Sequence, residues 1–111
     1  MDIAQRRDGD VVVVQLAGRL DSSAAPVAEE RLSAALDGNP PRLAIDMSGL
    51  SYISSAGLRV ILVLAKKAQQ QNGKLALGGL AANVREVFAA TGFDTIITVA
   101  ADAAGAVAAV R

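Results

Sequence analysis

The chain has 111 residues, 52% of them hydrophobic but only 3% aromatic and none of them Trp, enough for one core packed through Ala, Val, Leu and Ile. Eleven basic and eleven acidic residues cancel to a formal charge of zero, so no global field draws it to nucleic acid, an anionic membrane or an acidic substrate. Cys and His are both absent, which removes disulfides, thiolate chemistry, the commonest transition-metal ligands and the usual general base near neutral pH, and with them ordinary triad and zinc chemistry.

In chain order, Asp8-Gly9-Asp10 reads as a hairpin turn between a short strand at residues 2 to 7 and a longer one in "DVVVVQLAGRL", because valines are stiff at χ1 and suit an extended chain. The segment "DSSAAPVAEERLSAALDGNPP" predicts a first helix. Asp21, Ser22 and Ser23 offer capping oxygens, Pro26 fits a first turn, Ala28, Leu32, Ala35 and Leu36 form an apolar stripe, and Gly38 ends it. A short strand, "RLAIDM", follows with Leu43 and Ile45 alternating. "SGLSYI" links it to a second helix that carries Leu58, Ile61, Leu62 and Ala65 at helical spacing and is closed by polar "KKAQQQNG". "KLALGGL" alternates as a strand. "NVREVFAATG" predicts a third helix with Asn83 at its N-cap, Glu86 three residues on, Val84, Val87 and Phe88 on one face and Gly92 as terminator. A last strand, "TIITV" from Thr95 to Val99, leads to Asp102 as the cap of an Ala-rich helix ending at Arg111. The order β-β-α-β-α-β-α-β-α implies an α/β layer structure, largely parallel with a hairpin at its N-terminal end. The opening "MDIAQRRDGD" holds no apolar core of signal-peptide length, and the longest apolar run, Val60 to Ala65, is far short of the roughly 20 residues that span a bilayer. A soluble cytoplasmic protein is expected.

The most informative stretch is "SYISSAGLRVIL", Ser51 to Leu62, where Ser54 and Ser55 precede Ala56 and Gly57 at the start of the second helix. One reading makes a serine the N-cap, a contribution of about 1 kcal/mol. The other makes a serine a phosphate acceptor, since the free N–H groups and partial positive charge of a helix N-terminus tolerate an anion, and small Ala56 and Gly57 leave room for a partner to approach. Local chemistry leaves both readings open.

The segment "LAIDMSGLSYISSAGLRVIL", Leu43 to Leu62, resembles the signature of the STAS domain family, in particular its stand-alone bacterial members, the anti-sigma factor antagonists. Upstream, "VVVVQLAGRLDSSAAPVAEERL" is similar to the family's opening strand, Gly-x-Leu-Asp turn and first helix, and downstream "NGKLALGGLAANVREVFAATGFDTIITVAADAAGAV" resembles its closing pattern. The resemblance implies the STAS (SpoIIAA-like) α/β fold, a mixed central sheet of about four to five strands with about four α-helices, as one domain over residues 1–111. It implies a regulatory binding protein; without His or Cys no enzyme, cofactor or metal is expected, and a monomer when free is the simplest expectation. In partner switching, the unphosphorylated antagonist binds an anti-sigma factor that is also a serine kinase with a histidine-kinase-like ATPase fold, and frees the sigma factor for transcription. The kinase ends this signal by phosphorylating the antagonist, and a PP2C-type phosphatase restores it.

Carried onto this chain, the acceptor is Ser55, with Ser54 as the alternative, because sporulation-type members have Asp-Ser-Ser-Gly where this chain has Ser54-Ser55-Ala56-Gly57. Ala56 removes a competing acceptor. The resemblance also implies a partner-binding surface in which Asp21, Ser22 and Ser23 flank Ser54, Ser55, Ala56 and Gly57, with Arg59 on the exposed side of the same helix. Asp46 in "IDMSG" and Asp21 in "GRLDSS" read as turn or helix caps on their local pattern, and the resemblance adds a part in shaping the kinase-docking surface. Lys66, Lys67 and Lys74 read as a solvated helix end, and "LGGLAAN" lacks the Lys-Ser/Thr ending of a phosphate loop. A constitutive STAS adaptor subunit of a membrane-associated lipid-transport complex is the alternative function, with the serine then only a cap.

Overall fold

In the computed structural model, which describes residues 1–111, the four valines Val11–Val14 are all buried, as befits a strand covered on both faces. They open strand β2 (Val11–Leu20), which pairs antiparallel with β1 (Asp2–Asp8) through a turn in which Gly9 takes a φ of 61°. Strands β3 (Arg42–Ile53), β4 (Lys74–Gly78) and β5 (Thr98–Ala100) add parallel to β2 in chain order, so the five-stranded sheet is mixed and runs β1-β2-β3-β4-β5. Helices α1 (Ala25–Ala35), α2 (Ser55–Gln70), α3 (Ala82–Thr91) and α4 (Ala103–Val110) complete the α/β fold expected from the strand and helix order.

The two faces of the sheet are packed differently. Val12, Val14, Leu16, Leu43, Ile45 and Leu77 face a large core shared with Leu32 of α1, Ile61 and Leu64 of α2 and Phe88 of α3. Val11, Val13, Ala44 and Ala76 face a small core closed by Ala106, Val107 and Val110 of α4. Alanine on both sides lets α4 lie close to the strands, and a Cβ on Gly78 would collide with the Asp102 carbonyl at the head of α4.

Several local expectations are corrected. Ser48–Ile53 is no link but the second half of β3, which reaches Ile53 because two register shifts, between Gln15 and Ala17 and between Gly18 and Arg19 of β2, each admit an extra β3 residue as a bulge. Gly49 allows the close approach, since a Cβ there would lie 3.0 Å from the Ala17 Cβ. Helix α1 stops at Ala35 before reaching Gly38, on a bond from the Leu36 N–H to the Ser33 carbonyl. The buried arc of α2 includes Val60 and Leu64 and leaves Leu62 and Ala65 half-buried, because α2 packs against α1 as well as the sheet. Asn83 is not an N-cap. Ala81 holds that position without a side-chain bond, and Asn83 Nδ2 instead donates to the Ser51 carbonyl at 2.8 Å, tying α3 to the extended end of β3. Only the end of "TIITV" is strand. The left-handed Gly92 (φ 76°) leads into a 3-10 turn at Phe93–Thr95, which removes Thr95 and Ile96 from the sheet. Gly92 as terminator of α3 and Asp102 as cap of α4, accepting from the Gly105 N–H at 2.8 Å, stand as read. No helix is long and apolar enough to cross a membrane.

Phe88, 1% exposed, fastens α3 to the large core. Phe88→Ala should lower stability by about 3–5 kcal/mol in urea unfolding; an unmoved midpoint would detach α3 from that core.

Candidate functional site

The end of β2 and the start of α2 meet at Leu20. The Ser54 N–H donates to the Leu20 carbonyl at 2.9 Å, and Gly57 packs so closely that a Cβ there would stand 2.6 Å from that same oxygen and 2.9 Å from Ile53 Cγ1. A residue with a side chain would lift the first turn of α2 off the sheet. Gly57 is buried, so what the structure assigns it is a packing position beneath the site.

The serine pair divides its work. Ser54, in extended conformation, is the N-cap: its Oγ accepts from the Gly57 N–H at 3.2 Å, and its carbonyl receives the first helical bond, from the Leu58 N–H at 2.9 Å. Serine and aspartate are near-equal at this position, so either residue would keep the cap. Ser55 is the first residue of the helix and exposed, and its hydroxyl makes no hydrogen bond within the chain. The N–H groups of Ser55 and Ala56 precede that of Leu58, the first to bond back along the helix, and have no acceptor along the helix.

Across from them stands the loop after β2. Asp21 Oδ1 accepts from the Ser23 N–H at 3.1 Å, the Ser23 hydroxyl at 2.8 Å and the Ala24 N–H at 3.0 Å, closing the turn that launches α1. The Ser23 hydroxyl foremost, then the Ala24 N–H, hold its carboxyl below the ordinary aspartate value against partial loss of solvent, with the Ser23 N–H and the Arg19 charge adding to the effect. Asp21 is thus the cap expected of it, acting on the turn ahead of the helix and not on α1 itself, whose N-cap residue Ala24 makes no side-chain bond.

Between α1 and α2 lies an open groove of about 800 Å³ lined by Ser22, Ala25, Pro26 and Glu29 on one side and Ser55, Ala56, Arg59, Val60 and Val63 on the other. It brings together Ser22, Ser55, Ala56 and Arg59 of the residues singled out from the sequence. Asp46 is elsewhere. Its position, two residues after Ala44 on the same strand face, puts it on the α4 side of the sheet, where it accepts from the Ser48 N–H at 3.0 Å and borders a small cleft with Arg6 and Gln15. Glu29 and the apolar wall of Pro26, Val60 and Val63 were missed, since only helix packing makes them neighbours. Also missed was the stacking of Arg19, whose guanidinium lies 4.1 Å over the Tyr52 ring at the paired ends of β2 and β3; the bulges that bring this pair into register leave no mark in the pattern.

The family model described as the STAS domain matches residues 2–106. BtrV of Bordetella bronchiseptica, described provisionally as an anti-sigma factor antagonist, is 38% identical over 111 residues, covering 100% of this chain and 96% of its own length. The anti-sigma-B factor antagonist of Bacillus subtilis is 32% identical over 107 residues, covering 96% of this chain and 95% of that one. Among solved structures, an anti-sigma factor antagonist from Mycobacterium paratuberculosis superimposes with a TM-score of 0.89 at 25% identity, covering 99% of this chain and 93% of its own.

Two stability measurements check the geometry. Ser54→Ala should cost about 1 kcal/mol through the lost cap, whereas Ser55→Ala should change stability by less than about 0.5 kcal/mol; equal costs would refute the division between them. A carboxyl whose value is lowered on folding stabilises fully above its ordinary value, and that contribution fades as pH falls through the lowered one. Wild type should therefore lose a component of stability below about pH 4 that Asp21→Asn lacks, read from melting temperatures against pH.

Proposed function

The chain belongs to the STAS domain family, and we propose that within it this protein acts as an anti-sigma factor antagonist in a partner-switching system. The unphosphorylated form binds an anti-sigma factor that is also a serine kinase with a histidine-kinase-like ATPase fold, which releases the sigma factor. Phosphorylation of Ser55 ends the interaction, and a PP2C-type phosphatase renews it. The protein is cytoplasmic and catalyses nothing itself. The names and near-complete coverage of the Bordetella and Bacillus relatives support the partner class.

The observation that carries the reading is that Ser54 takes the capping bond and leaves the adjacent Ser55 hydroxyl exposed and unbonded. A phosphate on Ser55 adds roughly −1.5 to −2 charges and three acceptor oxygens where the first N–H groups of α2 favour an anion, so the fold survives modification. The same dianion at the centre of an interface has to be desolvated and repels acidic groups of a partner, which costs binding. The Ser22 to Glu29 side of the groove and Arg59 form the rest of the docking face. Asp21 serves that face by holding the loop that carries Ser22.

Incubation with ATP and the kinase-type anti-sigma factor encoded beside this protein, followed by intact-mass and peptide mass spectrometry, tests the proposal. One phosphate is expected on wild type and on Ser54→Ala and none on Ser55→Ala, and Ser55→Asp should weaken binding of the same kinase at least tenfold. An active kinase that leaves the protein unmodified would return Ser55 to a plain helix residue.

A further inference from the structure

We propose that Arg59 is the intramolecular partner of the phosphate on Ser55, so that phosphorylation removes from the docking face the one cation that lines it as well as adding negative charge. The inference rests on Ser55 being the residue modified. Ser55 and Arg59 are both exposed, both line the groove between α1 and α2, and stand four residues apart on α2, the spacing at which helical side chains are neighbours. Their order is the favourable one. Because the Cα–Cβ bonds of a helix tilt toward its N-terminus, the side chain at the later position leans back over the turn that carries the earlier one.

Arg59 is free to do this. The chain's ion pairs join Arg7 to Asp37 and Arg111 to Asp8, and Arg59 enters neither and donates no hydrogen bond. The other charged group that lines the groove is Glu29, on α1, with which Arg59 forms no ion pair. Just ahead of Ser22 in the chain, Asp21 is engaged by Ser23 and Ala24 and Arg19 by the Tyr52 ring. A serine hydroxyl cannot compete for a hydrated guanidinium, but a phosphate presents oxygens that its planar fork can bond in pairs. In the unmodified protein Arg59 is therefore available to a carboxylate of the partner, and in the modified protein it is held by its own chain.

The test installs phosphoserine at position 55 during synthesis, so that no kinase is needed, and follows the phosphate by ³¹P NMR as pH is varied. In wild type its second ionisation should fall below the value of about 6 of an unperturbed phosphoserine. Arg59→Gln should raise it by about 0.2–0.4, and NaCl at about 1 M should largely erase that difference. Glu29→Gln, which removes a repelling carboxylate, should not raise it. Titration curves that coincide for wild type and Arg59→Gln would overturn the proposal. A kinase that never modifies Ser55 would instead overturn the proposed function, and the two failures are told apart because the titration does not use the kinase.

Discussion

The site depends on how closely the first turn of α2 can approach the end of β2. Gly57 lies on the Leu20 carbonyl at a separation that leaves no space for a Cβ, and the Ser54 N–H bonds to that same carbonyl. Together they fix the start of the helix in position and in rotation. With Gly57 inward and Ser54 turned to cap, Ser55 has only the outward direction left. The exposure of its hydroxyl is thus a consequence of packing two residues away, and a partner would meet it on a rigid element, where a site is held more accurately than on a loop.

The sheet extends that rigidity to the loop on the other side of the groove. Two bulges let β3 continue to Ile53 alongside the whole of β2, so that both strands end together beneath the Ser54 junction and the Asp21 turn. Strands β4 and β5 stop short, and Asn83 of α3 braces the overhanging end of β3 through the Ser51 carbonyl. The large core under α1, α2 and α3 holds the two groove-forming helices against one face, while α4 closes the other through alanines and valines. Asp46 falls on this second face, which separates it from the serine pair that comes after it in the chain.

Electrostatics in the groove are balanced before modification, with Glu29 on one wall and Arg59 on the other and no ion pair between them. Such a surface is poised. A neutral hydroxyl at Ser55 leaves both charges facing outward, and a dianion at the same atom changes the sign of the surface and gives Arg59 a nearby anion. A single covalent change on an exposed residue can therefore alter several features of a docking surface without any rearrangement of the core.

The sequence by itself determined the order of strands and helices, the N-terminal hairpin, the caps at Asp102 and Gly92 and the position of Ser55 at a helix start, because each of these depends on residues within a few positions of one another. Valine runs, Asp-Gly turns and apolar stripes carry their meaning locally. It did not determine which serine caps and which is free, since both are good N-caps and only the seating of Gly57 on Leu20 decides the register. Nor could it show that Ser48–Ile53 pairs as strand, that Asn83 reaches across to Ser51, or that Glu29 faces Arg59. Those outcomes depend on bulges and on helix-on-helix packing between residues some thirty positions apart, and tertiary structure alone brings such partners together.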